Sequence, residues 1–284
     1  MNAPRARNGL PQPWLWLSLT AASLAAAGSV VGLLNPAVVY GKETATFFDA
    51  SIAQDLVNLF FVAPMIVVLG ILAYHGSLRS WLCLMGFLAF TAYNYAIYAF
   101  SIHFGPLFLV WVTVLGLSAY AFAGTAAALH PSDLRGRLGS ISVRLPGWFL
   151  VATAALFTYL WLSEIVPDLL AGRPSTSATT WNVPTNPVHV LDLAIFLPGV
   201  FVVGLLLLRR HQLGYAFAPS ALIFLGLTTL PIILTPFVAQ AEGHARSWSV
   251  LVPIGIIALA TLALLWRLLH QAGNKSDLGS GGMS

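Results

Sequence analysis

The chain has 284 residues, of which 58% are hydrophobic and 8% charged, with a mean hydropathy of +0.84. A water-soluble domain needs far more surface charge, so this composition excludes one and belongs to the membrane class. The formal net charge of +4 comes from basic residues in the connections; it reads as membrane topology, not as a nucleic-acid footprint, and no nucleic acid is expected as a partner.

A helix needs roughly 20 apolar residues to cross the hydrocarbon core. Eight stretches qualify: residues 14–34, 55–74, 80–100, 106–129, 148–167, 187–208, 215–239 and 248–269. They are continuous apolar runs, unlike the alternating strands of a barrel. The predicted fold is therefore an all-α integral membrane protein with eight transmembrane helices.

The first stretch follows Arg5 and Arg7 and contains Ala25-Ala26-Ala27, features shared with a cleaved signal peptide. The apolar run continues through Leu34, which is spanning length, so a retained helix is the reading adopted. Asp55 and Asn58 open the second stretch, with Ser51 and Gln54 upstream as a capping box that sets Asp55 in the first turn. The third stretch holds the lone cysteine, Cys83, read as a packing residue, and then Tyr93, Asn94, Tyr95 and Tyr98. His103 lies in the short turn that follows. Glu164 closes the fifth stretch. The sixth starts at Asn186-Pro187 and carries His189 and Asp192. The seventh has Thr228 and Thr229 beside Pro231 and Pro236, where a kink or broken turn is expected.

Orientation follows from the loops. With a cytoplasmic amino terminus, one side holds Arg5, Arg7, Arg79, Arg135, Arg137, Arg144, Arg209, Arg210, Arg267 and Lys275, and the other only Lys42, Arg173 and Arg246. That bias places both termini in the cytoplasm. The expected organisation is a cytoplasmic segment 1–13, a first four-helix half 14–130, a cytoplasmic linker 131–147, a second half 148–270 and a disordered tail 271–284. The cytoplasmic histidines His75, His130, His211 and His270 flank helix ends and read as headgroup contacts. A compact multi-pass chain with minimal loops suits a bacterial plasma membrane.

A shift of 134 residues aligns Trp14 with Trp148, Asp55 with His189, Asn58 with Asp192, Pro64 with Pro198, Val68 with Val202 and Gly70 with Gly204. Two parallel four-helix repeats would give this pattern.

Ionisable groups inside a membrane face a bundle interior or a solvated cavity. With a rise of about 1.5 Å per residue, the polar groups above share one depth near the outer side. The expected pocket consists of Asp55, Asn58, Tyr93, Asn94, His103, Glu164, His189, Asp192, Thr228 and Thr229. A binding or transport site for a small solute, proton or cation is the leading reading. An intramembrane enzyme acting on a lipid or isoprenoid by carboxylate and histidine acid–base chemistry is the alternative, and a non-catalytic assembly component the third. The sequence has no HExxH and no GxSxG, and histidines do not pair in the helix bodies, so neither metal nor haem is assigned and no cofactor is expected. The expected partners are the bilayer itself and a small-molecule or lipid ligand.

Overall fold

A computed structural model describes residues 9–129 and 142–271. Segment 1–8, most of the linker and the tail beyond 271 lie outside them, and with them Arg5, Arg7, His130, Asp133, Arg135, Arg137, Lys275 and Asp277. Ten helices occur among the described residues, and no strand: α1 (Gln12–Leu34), α2 (Pro36–Val39), α3 (Ala45–Tyr74), α4 (Leu78–Ser101), α5 (Phe108–Ala127), α6 (Arg144–Leu170), α7 (Thr176–Trp181), α8 (Pro187–Leu208), α9 (Gln212–Ala241) and α10 (Leu251–Gln271). All but α2 and α7 are long and apolar enough to cross a membrane. The chain is thus a polytopic membrane protein.

Local chemistry sets the helix ends. Asn35 stops α1 because the following Pro36 disfavours helical geometry before it. The start of α3 corrects the sequence reading. Thr44 is the N-cap, its hydroxyl accepting from the Phe47 N–H, so the helix begins ten residues before Asp55. Ser51 is not a cap; its hydroxyl donates to the Phe47 carbonyl, and Asp55 is mid-helix. Asn186 caps α8 as expected, accepting from the Val188 and His189 N–H groups.

Two helices contain a π-turn, at Asn58–Val62 in α3 and at Asp192–Phe196 in α8. Each is followed by a proline two residues later, Pro64 and Pro198. A proline inside a helix donates no bond and collides with the carbonyl four residues back. Widening the turn relieves both problems, and the Ala63 and Leu197 N–H groups reach five residues back to Asn58 and Asp192. α9 behaves differently: it runs as unbroken α-helix through Pro219, Pro231 and Pro236, so the broken turn expected there does not form.

Helices in lipid associate through close packing and hydrogen bonds, since lipid tails are as apolar as leucine. Glycines provide the close approaches. A methyl on Gly86 of α4 would meet Ile223 and the Ser220 backbone of α9, and the Ser220 hydroxyl donates to the Leu82 carbonyl at 2.8 Å. Gly124 of α5 receives the Trp14 ring of α1, and Gly147 of α6 lies against Gly204 of α8. α4 is the most buried span and packs on α3, α5 and α9; α9 packs on α3, α4, α8 and α10. The flanking helices differ between the halves. α1 packs on α5, whereas α6 packs on α8 and is not packed against α10.

Candidate functional site

The gap between α6 and α10 widens into a cavity of about 460 Å³ at the end of the bundle that carries α2 and α7. Its walls come from α3, α4, α6, α8, α9 and α10, and Ser177 and Trp181 of α7 lie over it. Seven of the ten expected residues line it: Tyr93, Asn94, Glu164, His189, Asp192, Thr228 and Thr229. Asp55, Asn58 and His103 do not, so the expected single pocket divides.

Asp192 is the first residue of the α8 π-turn. Its carboxylate accepts from the Tyr93 hydroxyl at 3.0 Å and from the Trp161 indole N–H at 2.8 Å. The Trp161 ring lies 4.6 Å, centroid to centroid, from the ring of His189. His189 Nε2 is 4.0 Å from Glu164 Oε2, while Glu164 Oε1 accepts the Ser177 N–H at 2.9 Å. Glu164 thereby ties the start of α7 to α6. The neighbouring anchor is Asp168, which accepts from the Thr176 N–H and hydroxyl and pairs with Arg173 at 2.9 Å.

Asn94 is buried against the cavity, and its side-chain Nδ2 has no hydrogen-bond partner among the described residues. Such a group is costly unless something in the cavity accepts from it. The Thr228 and Thr229 hydroxyls instead donate to the carbonyls of Leu225 and Gly226 on their own helix.

The remaining wall is aromatic and aliphatic. Phe47 stacks on Trp181 at 4.4 Å with the rings nearly parallel, and Phe224 is backed by Phe196, outside the wall, at 4.4 Å. Phe157, Ile254 and Ile257 line the side where α6 faces α10. No lysine or arginine among the described residues lines the cavity. Among the described residues, no group of three or more His, Cys, Asp or Glu side chains is arranged to hold a metal ion.

The three outlying residues have other partners. Asp55 turns away from the cavity toward α1 and accepts from Ser29 at 2.8 Å, Tyr40 at 2.6 Å and Tyr98 at 3.3 Å. Tyr40 lies between two spans. Burial, and then the nearby Asp55 carboxylate, hold its phenol well above the usual tyrosine range, so it remains a donor. Asn58 accepts from Gln54 at 2.9 Å. His103 binds Glu43, with its ring Nδ1 3.0 Å from Oε1. A matching pair that the sequence reading passed over joins His244 to Asp49 at 2.8 Å.

The sequence reading also missed Trp161, Trp181, Gln54 and Ser177. Trp161 had a usable signal, because it precedes Glu164 by three residues and so shares its helix face. Trp181 had none, since α7 lies in a connection without apolar periodicity. The chain matches no protein-family model, no curated protein and no solved structure.

Proposed function

We propose that this protein binds a small amphiphilic cation, an amine carried on an apolar body, and moves it across the membrane. The observation that carries this reading is the composition of the cavity wall. It holds two carboxylates, a histidine and a cluster of aromatic rings, with no lysine or arginine among the described residues. A phosphate or carboxylate headgroup would find repulsion there and no counter-charge. A cation finds Asp192 and Glu164, and the faces of Trp161, Trp181 and Tyr93 add cation–π attraction. The apolar remainder of the ligand fits against Phe157, Ile254 and Ile257, and the gap between α6 and α10 gives it a lateral route from the hydrocarbon.

The same reading includes a topology. Both termini face the cytoplasm of a bacterial cell and the α2/α7 end of the bundle faces outward, which accords with the distribution of Lys and Arg in the loops. It also includes two parallel repeats. The two π-turns lie 134 residues apart, as do their prolines. Pairs separated by the same 134 residues touch each other between α4 and α9: Gly86 with Ser220, and Phe90 with Phe224 at 6.4 Å. Contacts between equivalent positions are what a pseudo-twofold axis along the membrane normal would produce, running between those helices.

The test is quenching of tryptophan fluorescence in purified protein by a long-chain alkylamine, compared with an alkyl phosphate of equal chain length. The amine binds saturably and the phosphate does not. Asp192→Asn weakens amine binding by about tenfold or more, equivalent to about 1.4 kcal/mol. Equal binding of the phosphate, or an unchanged amine affinity in Asp192→Asn, would refute the reading.

A further inference from the structure

Every carboxylate among the described residues can be sorted by the basic group beside it. Asp168 has Arg173, and Glu43, Asp49 and Glu164 each have a histidine within 4.0 Å, His103, His244 and His189, which carries charge only when protonated. Glu242 is exposed. Asp55 and Asp192 have neither a basic side chain nor a histidine, and both lie inside spanning helices. A carboxylate held at such a position without a counter-charge is expensive. Asp192 borders the cavity, where a cationic ligand reaches it. Asp55 does not line it.

The packing around Asp55 limits what could serve it. A methyl group on Gly32 of α1 would collide with Asp55 Oδ2 and with the Tyr40 hydroxyl. That crowding leaves no room for an organic cation on the Gly32 side of Asp55, and among the described residues no group of three or more His, Cys, Asp or Glu is arranged to hold a metal ion. Three hydroxyls already occupy its oxygens. The titratable groups facing it are Tyr40 from the α2 connection and Tyr95 and Tyr98 from α4. The phenol of Tyr95 donates to the Ala25 carbonyl at 3.3 Å instead. With three hydroxyl donors on its oxygens, Asp55 is neutralised most readily by a proton, which needs no further space.

The hydrogen bonds already allow for it. The Tyr98 hydroxyl has a single proton and two acceptors, the Ser51 carbonyl at 3.0 Å and Asp55 Oδ1 at 3.3 Å. With Asp55 ionised, Tyr98 donates to Oδ1. With Asp55 protonated, the new O–H donates to the Tyr98 oxygen, and the Tyr98 proton turns to Ser51. No heavy atom needs to move. Tyr98 and Ser51 both belong to the cavity wall, so the residues that share the Tyr98 proton with Asp55 also border the cavity.

We infer that Asp55 is a proton-exchange site, distinct from the cavity and connected to it through Tyr98, and that it couples proton movement to movement of the ligand. In the exchange, Asp55 passes its proton to the Tyr98 oxygen while Tyr98 releases its own to water in the cavity. Tyr98 ends neutral, Asp55 ends ionised and the water carries the proton away. The coupling role rests on the transport reading above; the exchange itself does not.

The experiment therefore has two arms. In the first, infrared difference spectra of the ligand-free protein are recorded between acidic and alkaline buffer. A protonated-carboxyl carbonyl band is expected in wild type and in Asp192→Asn, and is lost in Asp55→Asn. If Asp55→Asn does not fold, Tyr98→Phe keeps the carboxyl but removes its neighbour's oxygen, so the band must shift. A band that survives Asp55→Asn, or that Tyr98→Phe leaves unmoved, overturns the inference. In the second arm, proteoliposomes carry an internal pH dye and receive a long-chain alkylamine. Asp55→Asn still binds the amine by tryptophan quenching, but ligand-driven proton counterflow is lost in it and in Tyr98→Phe. Counterflow that persists in both variants overturns the coupling. Failure of wild type to bind the amine would refute the transport reading instead, and the infrared arm would still decide the proton site.

Discussion

Asp55 and Asp192 belong to the same polar end of one bundle, one a single turn before a π-turn and the other at the start of the second π-turn, yet their surroundings differ in kind. Asp55 is enclosed. α1 packs against α5, the short α2 folds Tyr40 inward, and Tyr40, Tyr95, Tyr98 and Trp111 fill the interior. Asp192 has an open side. α6 and α10 stand apart, and the cavity lies beside both. One carboxylate thus sits in a closed cage of hydroxyls and the other beside an open cavity. The difference lies in the flanking helices and connections, not in the helices that carry the two acids.

Matched substitutions sharpen this comparison. The largest effect is expected from Tyr40→Phe, which removes the 2.6 Å bond to a carboxylate that water cannot reach. It should cost about 1.5–3 kcal/mol in stability. Tyr93→Phe makes the same chemical change at Asp192 and should cost clearly less, because cavity water replaces the lost donor. Thermal unfolding in detergent checks both, and equal losses would break the contrast. Gly32→Ala comes next, at about 1–3 kcal/mol, since the added methyl meets Asp55 and Tyr40. Trp161→Phe should leave stability nearly unchanged and weaken amine binding by about 1 kcal/mol, because Asp192 loses its 2.8 Å donor beside the ligand. The smallest effect on stability is expected for Ala50→Val, which adds bulk on the cavity wall. Unfolding should shift by less than about 0.5 kcal/mol, while amine binding falls. A loss comparable to that of Gly32→Ala would mean that the cavity is as tightly filled as the space around Asp55.

The spans were legible in the sequence because length and hydropathy determine them almost alone. Helix limits were less so. The second span was read from Asp55 because Asp49, Ser51 and Gln54 look like loop residues; in the fold they are buried in the helix, with Asp49 held by a histidine some two hundred residues away in sequence. Depth, which follows from counting residues along each helix, grouped Asn94, Glu164, His189 and Asp192, and in the fold all four line one cavity. Azimuth was not legible in this way, and it separates Asp55 from the others. Which side of α3 faces α1 depends on Gly32 admitting the carboxylate and on Tyr40 folding back, both long-range choices. The prolines at 64 and 198 signalled disturbed helices, but not that the disturbance would be a π-turn. Nothing local distinguished them from Pro231, which α9 absorbs without one.

The most direct measurement of the central claim is photo-crosslinking with a long-chain alkylamine bearing a photoactivatable group, followed by mapping of the adducts by peptide mass spectrometry. The account predicts adducts on α6 and α10 around Phe157, Trp161, Ile254 and Ile257, strongly reduced in Asp192→Asn. Adducts confined to the outer surfaces of α1 and α5, or labelling between α6 and α10 that Asp192→Asn leaves unchanged, would contradict it.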